Sequence, residues 1–76
     1  MQFFDNGSLF TVTVLRREVE AFKRQWPCSG LPDRAITFQF DKRNGDLVDV
    51  RPDDLNGDGV KGLLEDAREY GYKKLK

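Results

Sequence analysis

The chain has 76 residues, enough for one domain spanning 1–76, and 13 Lys and Arg balance 13 Asp and Glu at zero net charge. It contains no histidine and a single cysteine, which excludes a Ser-His-Asp triad, a Cys-His pair, a zinc centre of the usual ligand sets and any internal disulfide. Zero net charge disfavours a protein whose main task is gripping phosphates, no apolar run is long enough to span a bilayer, and a cytoplasmic, non-enzymatic domain is the expectation that remains.

Met1 to Val14 reads as a first hairpin around Asn6-Gly7, because a type I′ turn favours Asn-Gly at its two positive-φ positions. A two-residue loop there pairs Phe4 with Leu9 and Phe3 with Phe10. The first helix follows, with Thr13 as its expected N-cap and Leu15, Val19, Phe22 and Trp26 on one apolar face. Pro27 ends it at Gln25 or Trp26. In the connector that follows, Cys28 is expected to be buried beside Trp26.

Ala35 to Arg51 is the central hairpin. Ile36, Phe38 and Phe40 alternate with Thr37, Gln39 and Asp41, and Val48 and Val50 continue the alternation after the turn. A two-residue Asn44-Gly45 loop would set Phe40 against Asp49. A three-residue loop, Arg43-Asn44-Gly45 with Gly45 left-handed, instead pairs Lys42 with Asp46, Phe40 with Val48 and Phe38 with Val50, and is the expected register. A second helix is predicted from about Val60 to about Tyr70, extending at most to Leu75. Its stripe is Val60, Leu63, Leu64, Ala67 and Gly71, where the small residues allow close approach or Gly71 caps the end.

The fold class is therefore α+β, in the order ββαββα, with both helices on one face of an antiparallel sheet. That face carries Phe10, Val12, Ile36, Phe38, Phe40, Val48 and Val50. Thr11, Thr13, Thr37, Gln39 and Asp49 occupy the other, without the exposed aromatics on which single-stranded RNA readers stack bases.

Two constellations bear on function. Asp54 to Glu65 satisfies D-x-[DN]-x-[DN]-G-x5-E and, over these twelve residues, resembles the calcium loop of EF-hand proteins. The resemblance implies calcium held by Asp54, Asn56, Asp58, the Val60 carbonyl and Glu65. Lys61 stands where that family has an aliphatic residue, no helix precedes the loop, and no partner loop exists in the chain. The preferred alternative is a polar turn in which Asp58 caps the second helix. Arg16, Arg17, Lys23 and Arg24 form the second constellation, a surface for nucleic acid or an acidic partner, or an ordinary solvated helix face interleaved with Glu18 and Glu20. The leading functional expectation is a small interaction module that binds a protein partner or a second copy through an edge strand.

Overall fold

The computed structural model describes residues 1–27, 30–52, 55 and 58–76, with the side chain of Asp58 left out. Four strands, β1 (Gln2–Asn6), β2 (Leu9–Val14), β3 (Ile36–Asp41) and β4 (Leu47–Arg51), form one antiparallel sheet in the order β1-β2-β3-β4. Helix α1 (Arg16–Gln25) connects β2 to β3, and α2 (Asp58–Leu75) follows β4 and packs on the sheet. This is the expected ββαββα order of an α+β domain. The alternating positions Phe10, Val12, Val14, Ile36, Phe38 and Phe40 are buried on one face, where Val19 of α1, Leu31 of the segment before β3 and Leu63 and Ala67 of α2 complete the core. No helix among the described residues is long and apolar enough to cross a membrane.

Both hairpins change register; the first keeps every expected face, and the second keeps them except at Val48. In the first, Asn6 pairs with Leu9 across a Gly7-Ser8 loop, so Phe3 faces Val12 and Phe4 faces Thr11, in place of Phe10 and Leu9. Gly7 has φ +73°, and no described non-glycine residue has positive φ. Asn6 therefore stays in the strand, and glycine alone takes the left-handed position, as a type II′ turn requires. The slide is two residues, so every side chain retains its side of the sheet. It also sets Asp5 beside Lys42, 2.7 Å from the ammonium.

The central turn has four residues, Lys42 to Gly45, rather than three. Asp41 N–H donates to the Asp46 carbonyl (2.9 Å) and Gly45 N–H to the Asp41 carbonyl (2.8 Å). The carboxylate of Asp41 accepts from Arg43 N–H and the amide oxygen of Asn44 from Asp46 N–H, each at 2.9 Å, so turn donors are satisfied locally. Gly45 is left-handed, as expected, at φ +76°. Phe40 consequently faces Leu47, and a bulge absorbs Val48 before Gln39 meets Asp49 and Phe38 meets Val50. The Phe38–Val50 pairing stands; the Phe40–Val48 and Lys42–Asp46 pairings do not, and Val48 leaves the core face to lie 53% exposed.

Helix α1 starts later than expected, with Leu15 rather than Thr13 at its N-cap. Glu18, three residues on, accepts the Leu15 N–H (3.0 Å) and supplies the returning half of a capping box that leucine itself cannot complete. The other carboxylate oxygen takes the N-terminal ammonium of Met1 at 2.6 Å. Of the apolar stripe, Val19 is buried and Leu15 and Phe22 half-buried, but Trp26 is 59% exposed. Trp26 precedes Pro27 and has left helical geometry (φ −131°, ψ 73°), which swings it off the stripe, where it stacks on Phe22 at 6.3 Å. Cys28, expected beside it, lies outside the described residues.

Helix α2 runs unbroken through Gly71 to Leu75, so Gly71 is not its cap. It faces the Phe10 ring, and Ala67, one turn earlier, is fully buried. Further contacts tie α2 to the central turn: Arg68 Nε donates to the Gly45 carbonyl (2.9 Å), its guanidinium lies over Phe40, and the Tyr72 ring covers Gly45. At the other edge, Tyr70 Oη donates to the Met1 carbonyl at 2.8 Å.

Candidate functional site

With both helices on one side, the opposite face of the sheet carries three cross-strand rows. Gln2, Thr13, Thr37 and Arg51 form the first, Phe4, Thr11, Gln39 and Asp49 the second, and Asn6, Leu9 and Asp41 the third. The hydroxyls of Thr13 and Thr37 meet at 3.3 Å, and Arg51 Nε donates to Asp49 at 3.4 Å. The face is polar, as one-sided antiparallel sheets are, apart from the half-buried Leu9 and one residue at its margin. Phe4 belongs to it and is 63% exposed, which corrects the expectation of a face without aromatics. The two-residue periodicity of β1 places Phe4 there, because Phe3 takes the core side.

The main-chain groups of the two edges differ in availability. Asp41 directs its N–H and C=O towards the β4 side, while Lys42 N–H reaches the Ser8 carbonyl on the β2 side (3.0 Å). Alternation then directs Thr37 and Gln39 to β4, Phe38 and Phe40 to β2, and Leu9, Thr11 and Thr13 to β1. In β1 it is Gln2, Phe4 and Asn6 that bond inward. Phe3 and Asp5 turn their N–H and C=O away from the sheet. On β4 the corresponding outward residue is Val50.

The β4 edge is guarded by the bulge at Val48, the charged pair Asp49 and Arg51, and Pro52 directly after the strand. The β1 edge has no bulge, no proline and no lysine. Its one charge, Asp5, is neutralised by Lys42.

The four basic residues expected to act together are divided. Arg16 Nε donates to Glu20 at 3.2 Å and Lys23 Nζ to Asp33 at 2.6 Å. The hydrogen bond from Lys23 holds the Asp33 carboxyl below its usual range. Arg17 and Arg24 are exposed, seven residues apart on one helix face, with no hydrogen bond or ion pair among the described residues.

Of the calcium constellation, Asp54, Asn56 and the side chain of Asp58 lie outside the described residues. Val60 is half-buried in the first turn of α2, and the Glu65 carboxylate accepts from Arg68 Nη1 at 2.8 Å.

Sequence reasoning missed the groove between the helices, about 290 Å³ in volume, where Val14, Phe22 and Leu63 lie among Glu18, Gln25 and Asp66. Periodicity assigns each of these residues to an element, but the space between two helices depends on how they cross. Compared with known proteins, the chain matches no family model, no curated protein and no solved structure.

Proposed function

We propose that this domain is a non-enzymatic interaction module that binds an extended protein segment along the β1 edge of its sheet. The carrying observation is the edge itself: Phe3 and Asp5 offer outward main-chain donors and acceptors, and Phe4 stands exposed between them on the uncovered face. A strand added there gains main-chain hydrogen bonds from the edge and side-chain contact from Phe4, the two ingredients of strand-addition recognition. Binding rather than catalysis follows from a chain with no histidine and one cysteine. A cytoplasmic setting belongs to the same proposal, because a domain this small without a disulfide suits a reducing compartment.

The test is selection of displayed linear peptides against the labelled protein, followed by amide chemical-shift mapping. Selected peptides are expected to move the Phe3, Phe4 and Asp5 resonances and to lose binding on Phe4→Lys. Peptides that survive Phe4→Lys and are lost on Arg17→Ala with Arg24→Ala would transfer the site to α1 and overturn the reading.

A further inference from the structure

Resting on the interaction-module reading, we infer that the segment the β1 edge accepts is the β1 strand of a second copy of this chain, paired antiparallel about a two-fold axis through Phe4. Gln2-Phe3-Phe4-Asp5-Asn6 is self-complementary in that register. Phe3 of one copy faces Asp5 of the other, and these are the residues whose N–H and C=O groups point outward. Each of the two Phe3–Asp5 pairs therefore exchanges both of its main-chain hydrogen bonds. Phe4 meets Phe4 at the intervening position, where no hydrogen bonds are exchanged and Cα atoms approach to about 4.5 Å. Two exposed rings then cover one another on the uncovered face as a cross-strand aromatic pair. Gln2 faces Asn6, amide against amide.

Charge agrees with this register. Asp5, the one charged residue of β1, keeps Lys42 as its partner and faces Phe3 of the other copy rather than another carboxylate. Because directly opposed residues share a side of the sheet, the two four-stranded sheets join into a continuous one with all helices on the same side. The contact is isologous and closes at two copies, since each chain uses its single open edge. The guarded β4 edge is left at the outside, which limits further growth. A five-residue contact of this kind belongs with small, weak interfaces, so dimerisation belongs to the micromolar-to-millimolar range.

Sedimentation equilibrium over that range tests the inference on the full chain. The wild type is expected to pass from monomer to dimer. Phe4→Lys, which sets two ammonium groups against each other at an already exposed position, is expected to weaken the dimer at least about tenfold with circular dichroism unchanged. Amide hydrogen exchange on the wild type gives a second reading that needs no variant: protection of Phe3 and Asp5 rises with concentration, and that of Val50 does not. A strict monomer throughout, a dimer indifferent to Phe4→Lys, or concentration-dependent protection of Val50 instead overturns self-pairing. A strict monomer that still binds peptides in a Phe4-dependent way removes this inference alone. Loss of peptide binding at β1 as well removes the interaction-module reading with it.

Discussion

Gly71 of α2 lies against the ring of Phe10 in β2 with no room for a methyl group between them. A Cβ at Gly71 would stand 2.7 Å from Phe10 Cδ2 and closer still to Cε2. Phe10 in turn stacks on Phe40 at 5.1 Å and meets Phe3 and Tyr72 at 6.0 and 5.6 Å, so the ring has no free direction in which to retreat. The distance between helix and sheet is set at this pair.

Gly71→Ala should therefore destabilise the domain. In an exposed helix the change would be worth about 1 kcal/mol in favour of alanine, whereas overpacking a full core costs about 1–3 kcal/mol. Urea unfolding is expected to show a lower midpoint with an unchanged slope. A raised midpoint would show that the helix stands further from Phe10 than described.

Gly45 meets two constraints. Its φ of +76° is unfavourable for any side chain, and a Cβ there would press on the Tyr72 ring, 3.2 Å from Cε2. Backbone strain alone makes Gly45→Ala destabilising by about 1–2 kcal/mol. In a Tyr72→Phe background the loss should shrink, because the hydroxyl is the atom the methyl group meets first. Equal losses in the two backgrounds would assign the whole effect to the backbone.

The N-terminal end of α1 should make stability depend on pH through Glu18. Burial pushes its carboxyl pKa up, but hydrogen bonds from the Met1 ammonium and the Leu15 N–H outweigh this and hold it below the ordinary glutamate value. A carboxyl depressed in the folded state contributes stability that is fully present above its unfolded pKa. That contribution disappears as pH falls through the folded value. Relative to Glu18→Gln, the wild type is expected to be more stable at neutral pH and to lose that advantage as pH falls below the ordinary glutamate value of about 4.3 and through the lower folded one. Urea midpoints of the two proteins at each pH provide the check, and a constant difference would detach Glu18 from the acid limb.

On α1, Arg17→Ala with Arg24→Ala should leave stability within about 0.5 kcal/mol, because among the described residues neither side chain has a hydrogen-bond or ion-pair partner to lose. With Arg16 and Lys23 neutralised by Glu20 and Asp33, fluorescence anisotropy should detect no binding to a single-stranded oligonucleotide at physiological salt. Binding that falls steeply with salt and disappears in the double variant would restore the nucleic-acid reading.

For the EF-hand-like stretch, the expected result of adding millimolar calcium is no saturating movement of the Gly59 or Glu65 amide resonances. Glu65 already has Arg68 as a charged partner, and Arg68 also holds the Gly45 carbonyl. Saturating shifts at both amides would show that the carboxylate exchanges Arg68 for the metal.

The residues that became the site were only partly legible. Arg17 and Arg24 are visible as charges in the sequence, but so are Arg16 and Lys23, and a helical wheel does not show that Glu20 and Asp33 occupy two of the four. Asp33 comes from the connector, outside any local pattern. Phe4 reads as a core aromatic by composition and as an exposed one only once Phe3 has claimed the buried side of β1. Glu18 gave no recognisable capping signal because the box has leucine where serine or threonine is usual.

What the amino-acid sequence determined by itself was the order of elements and the face of most residues in them, with Val48, Trp26 and Phe4 as exceptions. Both follow from local physics: a period of two or of 3.6 in hydrophobicity, proline ending α1, and glycine wherever the chain turns left-handed. Registers, the open edge and the α2 latch came only from the tertiary structure. A two-residue slide between β1 and β2 preserves every face, so the hydrophobic pattern cannot resolve it. It is settled by which residue takes positive φ and by the reach of Asp5 to Lys42. Likewise, the bulge at Val48 depends on side chains of Asp41 and Asn44 closing a four-residue turn, and the place of Gly71 depends on a ring sixty-one positions away in the chain, at Phe10. Contacts between distant residues have no period, and only the packed chain contains them.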